Sequence, residues 1–432
     1  MTTASEWRAR VLDEVDARQD DLVAAVRDLV GVPSVTGTDG EHDAQALLAR
    51  DLAADGLEVD HWPLPLADLL ADPEFPGVEV PRREAWGVVG RLPAADPAGG
   101  GRSLLLLGHV DVVPPGDRGA WSATDPFTCT VDGASAYGRG TCDMKAGLVA
   151  ARFAALALRA AGVPLRADVL VAGVEGEEDG GLGTFGLLRR GVRADACVVP
   201  EPTSLDVVPA CAGALTFRLT VKGRATHAAR RPDGVSALDK LWPVWSALAD
   251  LERRRNRDVD PLMAGWEVPY ALSIGTVRAG DWASSVPDLL VAEGRLGVLL
   301  DETPAAARAA LEAAVAEACA GDAWLRDHPV EVEWWGGQYA SGRLPAGSDL
   351  VERMAAAHRA VMPGGPDPGV LGVPYGSDLR LLTGLGGIPT VHYGPGDAGL
   401  AHGPDERVPI GEVLATARAL AVLALDVCGV AA

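Results

Sequence analysis

The sequence contains no apolar run of membrane-spanning length that is free of charged residues. The most apolar candidate, residues 146–165, carries Arg152 and Arg159 and predicts a packed helix instead. The N-terminal residues mix acidic and basic side chains and lack the apolar centre of a secretion signal. We therefore expect a cytoplasmic protein without a membrane partner.

Positive charge is scarce. Lys and Arg number 38 against 60 Asp and Glu, which gives a formal net charge of −22. Proteins that bind nucleic acid present basic patches, so no nucleic-acid partner is expected. An acidic surface of this kind is typical of ordinary soluble proteins and identifies no partner by itself.

Cysteine pairs of the C-x-x-C type are absent, although the chain has 6 cysteines. Their absence disfavours thiolate zinc sites and thioredoxin-type chemistry. Most of the cysteines have apolar neighbours, so we interpret them as small buried hydrophobic residues.

Long apolar runs that end in polar residues are present instead. The chain has 432 residues, more than one core usually supports, so we expect two domains. Apolar runs begin near residues 103, 167, 194 and 387, and helical patterns separate them. Strands buried on both faces that alternate with helices predict an α/β catalytic domain, with a mostly parallel sheet and helices on both faces. Ligands of such sheets bind beyond the carboxyl ends of the strands, where these polar residues gather.

The middle of the chain has a different pattern. Alternating strands such as LTFRLTVKG and the helix TPAAARAALEAAVAEACA predict a small α+β domain of ferredoxin-like type with an antiparallel sheet. We place this inserted domain at residues 211–328, between catalytic parts at 1–210 and 329–432. The segment PVEVEWWGG is expected to return the chain to the catalytic domain. The proline-rich stretch from Pro63 to Arg83 is interpreted as a surface excursion.

The run SLLLLGHVDVVPPGD carries His109 and Asp111 two residues apart at its end. Residues i and i+2 of a strand face the same side. A metal-bound histidine commonly donates its other ring N–H to a carboxylate. The pair therefore fits a metal ligand with its orienting carboxylate, although a solvated loop histidine explains so short a pattern at least as well.

Further metal-ligand side chains follow other strands and turns, namely Asp143 in YGRGTCDMKAG, Glu177 and Glu178 in EGEEDGG, Glu201 in PEPT and His402 in AHGPDERV. One imidazole and one carboxylate per ion, with another carboxylate as a bridge, fit zinc and leave manganese and cobalt open. One of two adjacent glutamates can bind a metal while the next reaches the attacking water. Taken alone, such a pair is more typical of a solvated acidic loop.

In this order, GHVDVVP, YGRGTCDMKAG, EEDGG, EPT and HGPDERV resemble the motifs of the co-catalytic two-zinc amidohydrolases. That superfamily includes acetylornithine deacetylase, succinyl-diaminopimelate desuccinylase, aminoacylase and the glutamate carboxypeptidases. The resemblance extends from LVGVPSVTG to HGPDERV and is strongest to the deacylase branch. Each motif is modest alone, whereas the ordered set is specific.

The resemblance implies a site for two divalent metal ions per chain. His109 and Glu201 would bind one ion, Glu178 and His402 would bind the other, and Asp143 would bridge them.

The resemblance also implies a division of labour beside the ions. Asp111 would orient His109, and Glu177 would act first as general base and then as general acid. Two such ions polarise the scissile carbonyl and lower the pKa of a water, so no covalent acyl-enzyme is needed.

The inserted domain carries further candidates. KGRATHAARRPDGVSA resembles the family's lid segment, in which His227 matches a histidine that stabilises the oxyanion of the other subunit in dimeric members. This implies a homodimer formed through the lid domain. Arg295 is a candidate for a substrate carboxylate, although an exposed strand arginine fits nearly as well. Gly376 and Ser377 in YGSDLRLL are candidates for contacts with the substrate backbone.

These motifs predict a metal-dependent hydrolase that cleaves the amide bond of an N-acyl amino acid or a related N-acyl amine. A dinuclear-zinc carboxypeptidase or dipeptidase with a peptide-like substrate is the alternative, since it also cleaves an amide beside a carboxylate. A non-catalytic binding paralogue is a remote alternative, because it would be expected to lose Glu177 or a metal ligand. Ser285 stands where desuccinylase-like members have asparagine, so no single substrate is implied.

Overall fold

The computed structural model describes residues 2–431. They form two compact units. The first unit extends to Pro209, resumes at Arg343–Leu371 and continues from Leu381, and the second comprises Ala210–Gly342 and Gly372–Arg380. The helices are α1 (Ala4–Asp16), α2 (Gln19–Val30), α3 (Asp39–Ala54), α4 (Leu66–Leu70), α5 (Ala146–Ala160), α6 (Leu182–Arg189), α7 (Ala237–Arg255), α8 (Pro304–Gly321), α9 (Leu350–Val361) and α10 (Ile410–Cys428). The strands are β1 (Glu58–Pro63), β2 (Trp86–Leu92), β3 (Leu104–His109), β4 (Thr130–Asp132), β5 (Ser135–Tyr137), β6 (Val169–Val174), β7 (Ala196–Val199), β8 (Val207–Cys211), β9 (Gly213–Lys222), β10 (Leu272–Ala279), β11 (Leu289–Val298), β12 (Glu331–Tyr339), β13 (Gly342–Arg343), β14 (Val370–Val373), β15 (Thr390–His392) and β16 (Arg407–Pro409).

The largest sheet has nine strands in the order β1-β2-β6-β3-β7-β15-β8-β13, with β14 paired to β8. Its middle strands β6, β3, β7 and β15 are parallel. Strands β1 and β2 run antiparallel at one edge. This arrangement confirms the predicted α/β class with a mostly parallel sheet.

Strand β3 shows why four consecutive leucines occur before the site. Leu104 and Leu106 pack into one core cluster with α5 and α10, whereas Leu105 and Leu107 pack into another with α6. All four are 0% exposed, because both faces of the strand are covered. The strand therefore delivers its last residue, His109, to the carboxyl edge of the sheet.

Two further observations concern the described part of the chain. Among residues 2–431, no helix is both long and apolar enough to cross a membrane. The cysteines are free and buried, which confirms their interpretation as small hydrophobic residues.

The second unit contains a four-stranded antiparallel sheet in the order β10-β11-β9-β12, with α7 and α8 packed against it. The chain order β9-α7-β10-β11-α8-β12 is that of a ferredoxin-like domain. The boundary differs from the predicted residue 328, because β12 pairs with β9 as the fourth strand and the unit extends to Gly342. The segment PVEVEWWGG thus belongs to the second unit and does not return the chain to the first.

The stretch from Pro63 to Arg83 is not simply a surface excursion. It contains α4, in which Leu69 is 3% exposed. The side chain of Arg82 is only 4% exposed because it forms ion pairs. Sequence periodicity carries no signal for such pairs, so the expectation was wrong for these residues.

Candidate metal centre and active site

His109 lies at the end of β3 and is 1% exposed. Its Nδ1 lies 2.9 Å from the backbone oxygen of Asp111. A carbonyl oxygen only accepts, so this contact assigns the ring proton to Nδ1. The Nε2 atom of His109 then faces Oδ1 of Asp143 at 3.1 Å. The ring is thus oriented with one nitrogen available for a ligand.

Asp143 lies in the turn before α5, between two imidazoles. Its Oδ1 lies 3.1 Å from Nε2 of His109, and its Oδ2 lies 3.2 Å from Nε2 of His402. One carboxylate oxygen on each side is the arrangement of a bridging ligand. The ligand atoms of His109, Asp143 and Glu178 all lie within 4.8 Å of one another.

The acidic loop, defined as residues 175–180, follows β6. Glu178 in this loop has one oxygen, Oε2, 3.2 Å from Nε2 of His402. Within the described residues, its other oxygen, Oε1, is buried without a hydrogen-bond partner. Buried carboxylate oxygens are rarely left unsatisfied, so this atom fits a bound cation. The neighbouring Glu177 is 7% exposed.

Glu201 follows β7 and is 4% exposed. Burial by itself lowers the pKa of His109. The hydrogen bond with Asp143 and the negative charges of Glu201, Asp111 and Asp143 outweigh burial and hold that pKa well above its usual value. The negative charge of Glu201 therefore acts on His109.

Asp143 and His402 show the opposite shifts of an ionic pair. Burial opposes ionisation of Asp143, but hydrogen bonds with His109 and His402 hold the pKa of this carboxyl well below its usual range. Hydrogen bonds with Asp143 and Glu178 raise the pKa of His402 to about 10. A protonated imidazole carries a proton on the nitrogen that a metal ion would need as its ligand. Binding of a metal therefore releases that proton.

The donor set of this cluster is imidazole nitrogen and carboxylate oxygen. Zinc accepts both kinds of ligand, and no thiolate is present in the cluster. Together with the unsatisfied oxygen of Glu178 and the central position of Asp143, the residues fit a pair of divalent ions.

Asp111 contacts both the His109 ring and the acidic loop. Its carboxylate Oδ1 is 3.6 Å from Nδ1 of His109, and the closer partner of that ring is the backbone oxygen. The two carboxylate oxygens accept hydrogen bonds from the backbone N–H groups of Glu177 at 3.3 Å and Glu178 at 3.2 Å. Through these hydrogen bonds Asp111, which is 0% exposed, connects the end of β3 to the acidic loop.

Arg139 and Glu406 form a buried ion pair that sequence reasoning missed. Glu406 accepts hydrogen bonds from the N–H groups of Cys142 at 2.9 Å and Asp143 at 3.1 Å. Arg139 contacts the other oxygen of Glu406 at 2.5 Å and donates to the backbone oxygen of His402 at 3.1 Å. Arg139 lies in the motif YGRGTCDMKAG, and Glu406 lies in the motif HGPDERV. The presence of opposite charges in two motifs of the same site was the only sequence signal for this ion pair.

His402 has φ of +63°, which is uncommon for a residue other than glycine. Its side chain is 52% exposed, yet its backbone oxygen is bound by Arg139. Backbone strain of this kind persists where surrounding contacts enforce it, often at functional sites.

The remaining candidates lie in the second unit. His227 is exposed, begins a short 3₁₀ turn and accepts a hydrogen bond from the N–H of Ala229 at 3.1 Å. Arg295 lies on β11 and forms no salt bridge with any residue that the structure describes; its guanidinium is 3.5 Å from the backbone oxygen of Pro374. Arg295 is exposed to solvent.

Gly376 and Ser377 lie in the same unit as His227 and Arg295. A Cβ at Gly376 would lie 2.7 Å from the Tyr339 ring. Ser377 is 1% exposed and its backbone oxygen accepts a hydrogen bond from Arg380 at 2.8 Å.

Residues 105–426 match the model of Peptidase family M20/M25/M40. An N-formyl-4-amino-5-aminomethyl-2-methylpyrimidine deformylase of Halalkalibacterium halodurans is 26% identical over 97% of this chain and 97% of its own length. A succinyl-diaminopimelate desuccinylase of Gluconobacter oxydans is 33% identical over 65% of this chain and 68% of its own length.

Solved structures share the fold. The di-peptidase Dug1p of Saccharomyces cerevisiae has a TM-score of 0.74 at 14% identity, covering 96% of this chain and 98% of its own. A metallo-carboxypeptidase of the M20 family from Sulfolobus solfataricus has a TM-score of 0.73 at 17% identity, covering 94% of this chain and 98% of its own. At these identities the likeness concerns the fold alone.

Proposed function

Since the chain belongs to Peptidase family M20/M25/M40 and is a metal-dependent hydrolase of amide bonds, we propose that it is a deacylase of N-acyl amino acids or related N-acyl amines. One observation carries the proposal of a catalytic centre: Asp143 holds one carboxylate oxygen against each of two imidazoles, those of His109 and His402. The names of the two relatives support the substrate class, because a deformylase and a desuccinylase each remove an acyl group from nitrogen.

The proposed centre would hold two divalent ions, with zinc as the proposed metal. His109 and Glu201 would hold one ion, Glu178 and His402 would hold the other, and Asp143 would be the ligand shared by both. When bound, such ions polarise the scissile carbonyl and lower the pKa of a water. A solved structure of the same fold, from Bacillus subtilis, is described as a dinuclear metal-binding peptidase.

Glu177 is the proposed proton carrier. Its backbone N–H is held by Asp111, and its side chain is 7% exposed, so it is shielded from bulk water. Glu177 takes a proton from the attacking water as the carbon–oxygen bond forms. It returns that proton to the leaving nitrogen as the carbon–nitrogen bond breaks. The products are a carboxylic acid, which ionises by transferring its proton to the amine or to water, and the amine; no covalent acyl-enzyme forms.

The second unit supplies the proposed substrate contacts. Arg295 suits a substrate carboxylate, since a guanidinium binds that group with two parallel hydrogen bonds and Arg295 is exposed on β11. Gly376 and Ser377 contact the substrate backbone. His227 donates to the oxyanion in the active site of a second copy of the chain.

A homodimer through the second unit is part of the same proposal. Helix α7 exposes Leu238, Trp242 and Trp245, which are 46%, 65% and 43% exposed. The adjacent β10 is an edge strand that exposes Val277 at 46%. Exposed apolar patches and open strand edges are typical of protein interfaces. A second copy of the chain covers both features.

The assigned roles are tested with Glu177→Gln and Glu178→Gln, measuring metal content and turnover for each. Glu177→Gln keeps both ions while kcat falls by roughly 10²- to 10⁴-fold, the usual weight of acid–base catalysis. Glu178→Gln loses metal, and excess zinc partly restores its activity. The opposite pattern, in which Glu177→Gln loses metal and Glu178→Gln keeps it, reverses the two roles.

A dipeptidase or carboxypeptidase activity is the second candidate, because the solved structures with this fold include both. The same purified enzyme is assayed with N-formyl, N-acetyl and N-succinyl amino acids against dipeptides, with zinc, cobalt or manganese added. Higher kcat/KM on the acylated amino acids supports the deacylase. Preference for dipeptides would assign the alternative.

A further inference from the structure

We infer that Arg82 is a positioning residue for the acidic loop and thereby for Glu177 and Glu178. The inference rests on the catalytic role proposed above for these two glutamates. Arg82 lies outside every motif that predicted the site, in the stretch between β1 and β2. Arg82 does not take part in the reaction itself; it orients the loop that contains Glu177.

The guanidinium of Arg82 joins two buried carboxylates. It contacts Oδ2 of Asp179 at 2.9 Å, and it contacts Oε1 and Oε2 of Glu41 at 2.9 Å each. The side chains of Arg82, Glu41 and Asp179 are 4%, 3% and 4% exposed. Bidentate and buried pairs of this kind are strong and geometrically specific, in contrast to exposed ion pairs.

Glu41 extends this contact to the start of the acidic loop. Its Oε1 accepts a hydrogen bond from the N–H of Gly176 at 3.1 Å, and its Oε2 accepts one from the N–H of Gly37 at 2.7 Å. Arg82 therefore acts on Gly176 through Glu41 and directly on Asp179. These two residues flank Glu177 and Glu178 on either side.

The segment before Arg82, residues 77–81, lies against the same loop. Oδ2 of Asp179 accepts hydrogen bonds from the N–H groups of Val80 at 3.0 Å and Glu79 at 3.3 Å. A Cβ at Gly180 would lie 2.0 Å from the backbone oxygen of Gly77, so the two backbones are in direct contact. The acidic loop is thus enclosed by Arg82 and the chain that precedes it.

Asp111 and Arg82 hold different parts of the acidic loop, which explains why Arg82 affects catalysis. Asp111 holds the backbone N–H groups of Glu177 and Glu178 themselves. Arg82 holds the residues on both sides, and its removal leaves the carboxylates of Glu41 and Asp179 buried without their common counter-charge. Repulsion between them displaces the loop, and small displacements of a proton carrier are costly for the rate. Loss of a group that orients metal ligands typically lowers affinity or activity about 10- to 100-fold.

The test uses Arg82→Met, Arg82→Lys and Asp179→Asn in the full-length, metal-loaded protein. Arg82→Met lowers kcat about 10- to 100-fold while KM stays close to the wild-type value, and the ion held by Glu178 binds more weakly. Arg82→Lys recovers part of kcat, because it restores the charge without the bidentate contact. Should Arg82→Met fail to fold, the milder Arg82→Lys and Asp179→Asn decide, each with an intermediate loss of kcat.

Arg152→Met is the matched control. Arg152 also joins two carboxylates, those of Asp51 and Asp55, and its side chain is 13% exposed. Arg152 connects α5 with the C-terminal end of α3, away from the acidic loop. Replacement of Arg152 therefore lowers the melting temperature and leaves kcat unchanged. If Arg82→Met and Arg82→Lys keep the kcat and metal affinity of Arg152→Met, the inference about Arg82 is overturned.

Glu177→Gln, measured in the same assay, separates this inference from the proposed function. An inactive Glu177→Gln beside a fully active Arg82→Met overturns only the role of Arg82. A fully active Glu177→Gln overturns the proposed role of Glu177 and with it the basis for positioning.

Discussion

The ion pair between Arg139 and Glu406 leads to a sharp prediction for Glu406→Gln. The side chains are 2% and 0% exposed, so solvent screens their interaction little. Glutamine keeps the shape of the side chain and one acceptor oxygen, but it removes the negative charge that faces Arg139. The N–H groups of Cys142 and Asp143 then share a weaker acceptor.

The loss of stability in Glu406→Gln follows from the burial of the ion pair. Removing one partner of a buried ion pair costs about 3–5 kcal/mol, because the other charge stays buried without compensation. A large domain loses about 2 °C of melting temperature per kcal/mol, so Glu406→Gln lowers the melting temperature by roughly 6–10 °C. Metal affinity falls about 10- to 100-fold, because Asp143 and His402 lose the pair that orients them.

The assay combines thermal unfolding of the metal-free protein with metal titration of the folded protein. Glu412→Gln is the matched control, since Glu412 is only partly buried and accepts one hydrogen bond, from the N–H of Gly396 at 2.8 Å. We expect it to cost about 1 kcal/mol or less. Equal melting temperatures and equal metal affinities for the two variants would refute the assigned role of the Arg139–Glu406 pair.

Further predictions concern metal, assembly and substrate. A chelator abolishes hydrolysis, and His402→Ala lowers the metal content mainly at one of the two sites; a fully active metal-free protein in elemental analysis contradicts this. His227→Ala lowers kcat about 10²-fold or more, and mixing it with Glu177→Ala restores activity through mixed dimers, whereas a fully active monomer in sedimentation would argue against action across subunits. Trp245→Asp, at an exposed position of α7, converts the dimer into a monomer in sedimentation; an unchanged sedimentation coefficient excludes this helix from the interface. Arg295→Met raises KM for substrates with a free carboxylate and not for decarboxylated analogues, and equal effects on both would exclude the proposed contact.

The sequence by itself determined the fold class and the positions of the candidate site residues. The four leucines of β3 predicted a strand buried on both faces, because only a strand covered on both sides tolerates continuous apolar residues. His109 and the acidic loop were predictable because they follow their strands directly in the chain. Parallel strands bring such ends to one edge, so local order in the sequence becomes proximity in space.

The limits of the second unit depended on pairing between distant segments. The alternating sequence pattern of β12 would suit a strand of either unit. Only its pairing with β9 assigns it to the ferredoxin-like sheet. The period of a strand shows which side chains share a face, but it does not identify the neighbouring strand.

The contacts that orient the site were decided by the tertiary structure alone. Arg82 with Glu41, Arg139 with Glu406, and Asp111 with the N–H groups of the acidic loop are each far apart in the chain. An ion pair requires only opposite charges at one place in space, and most charged residues of a sequence are solvated at the surface. Which few of them are buried and paired follows from how the helices and loops pack around the sheet, and that packing has no local signature.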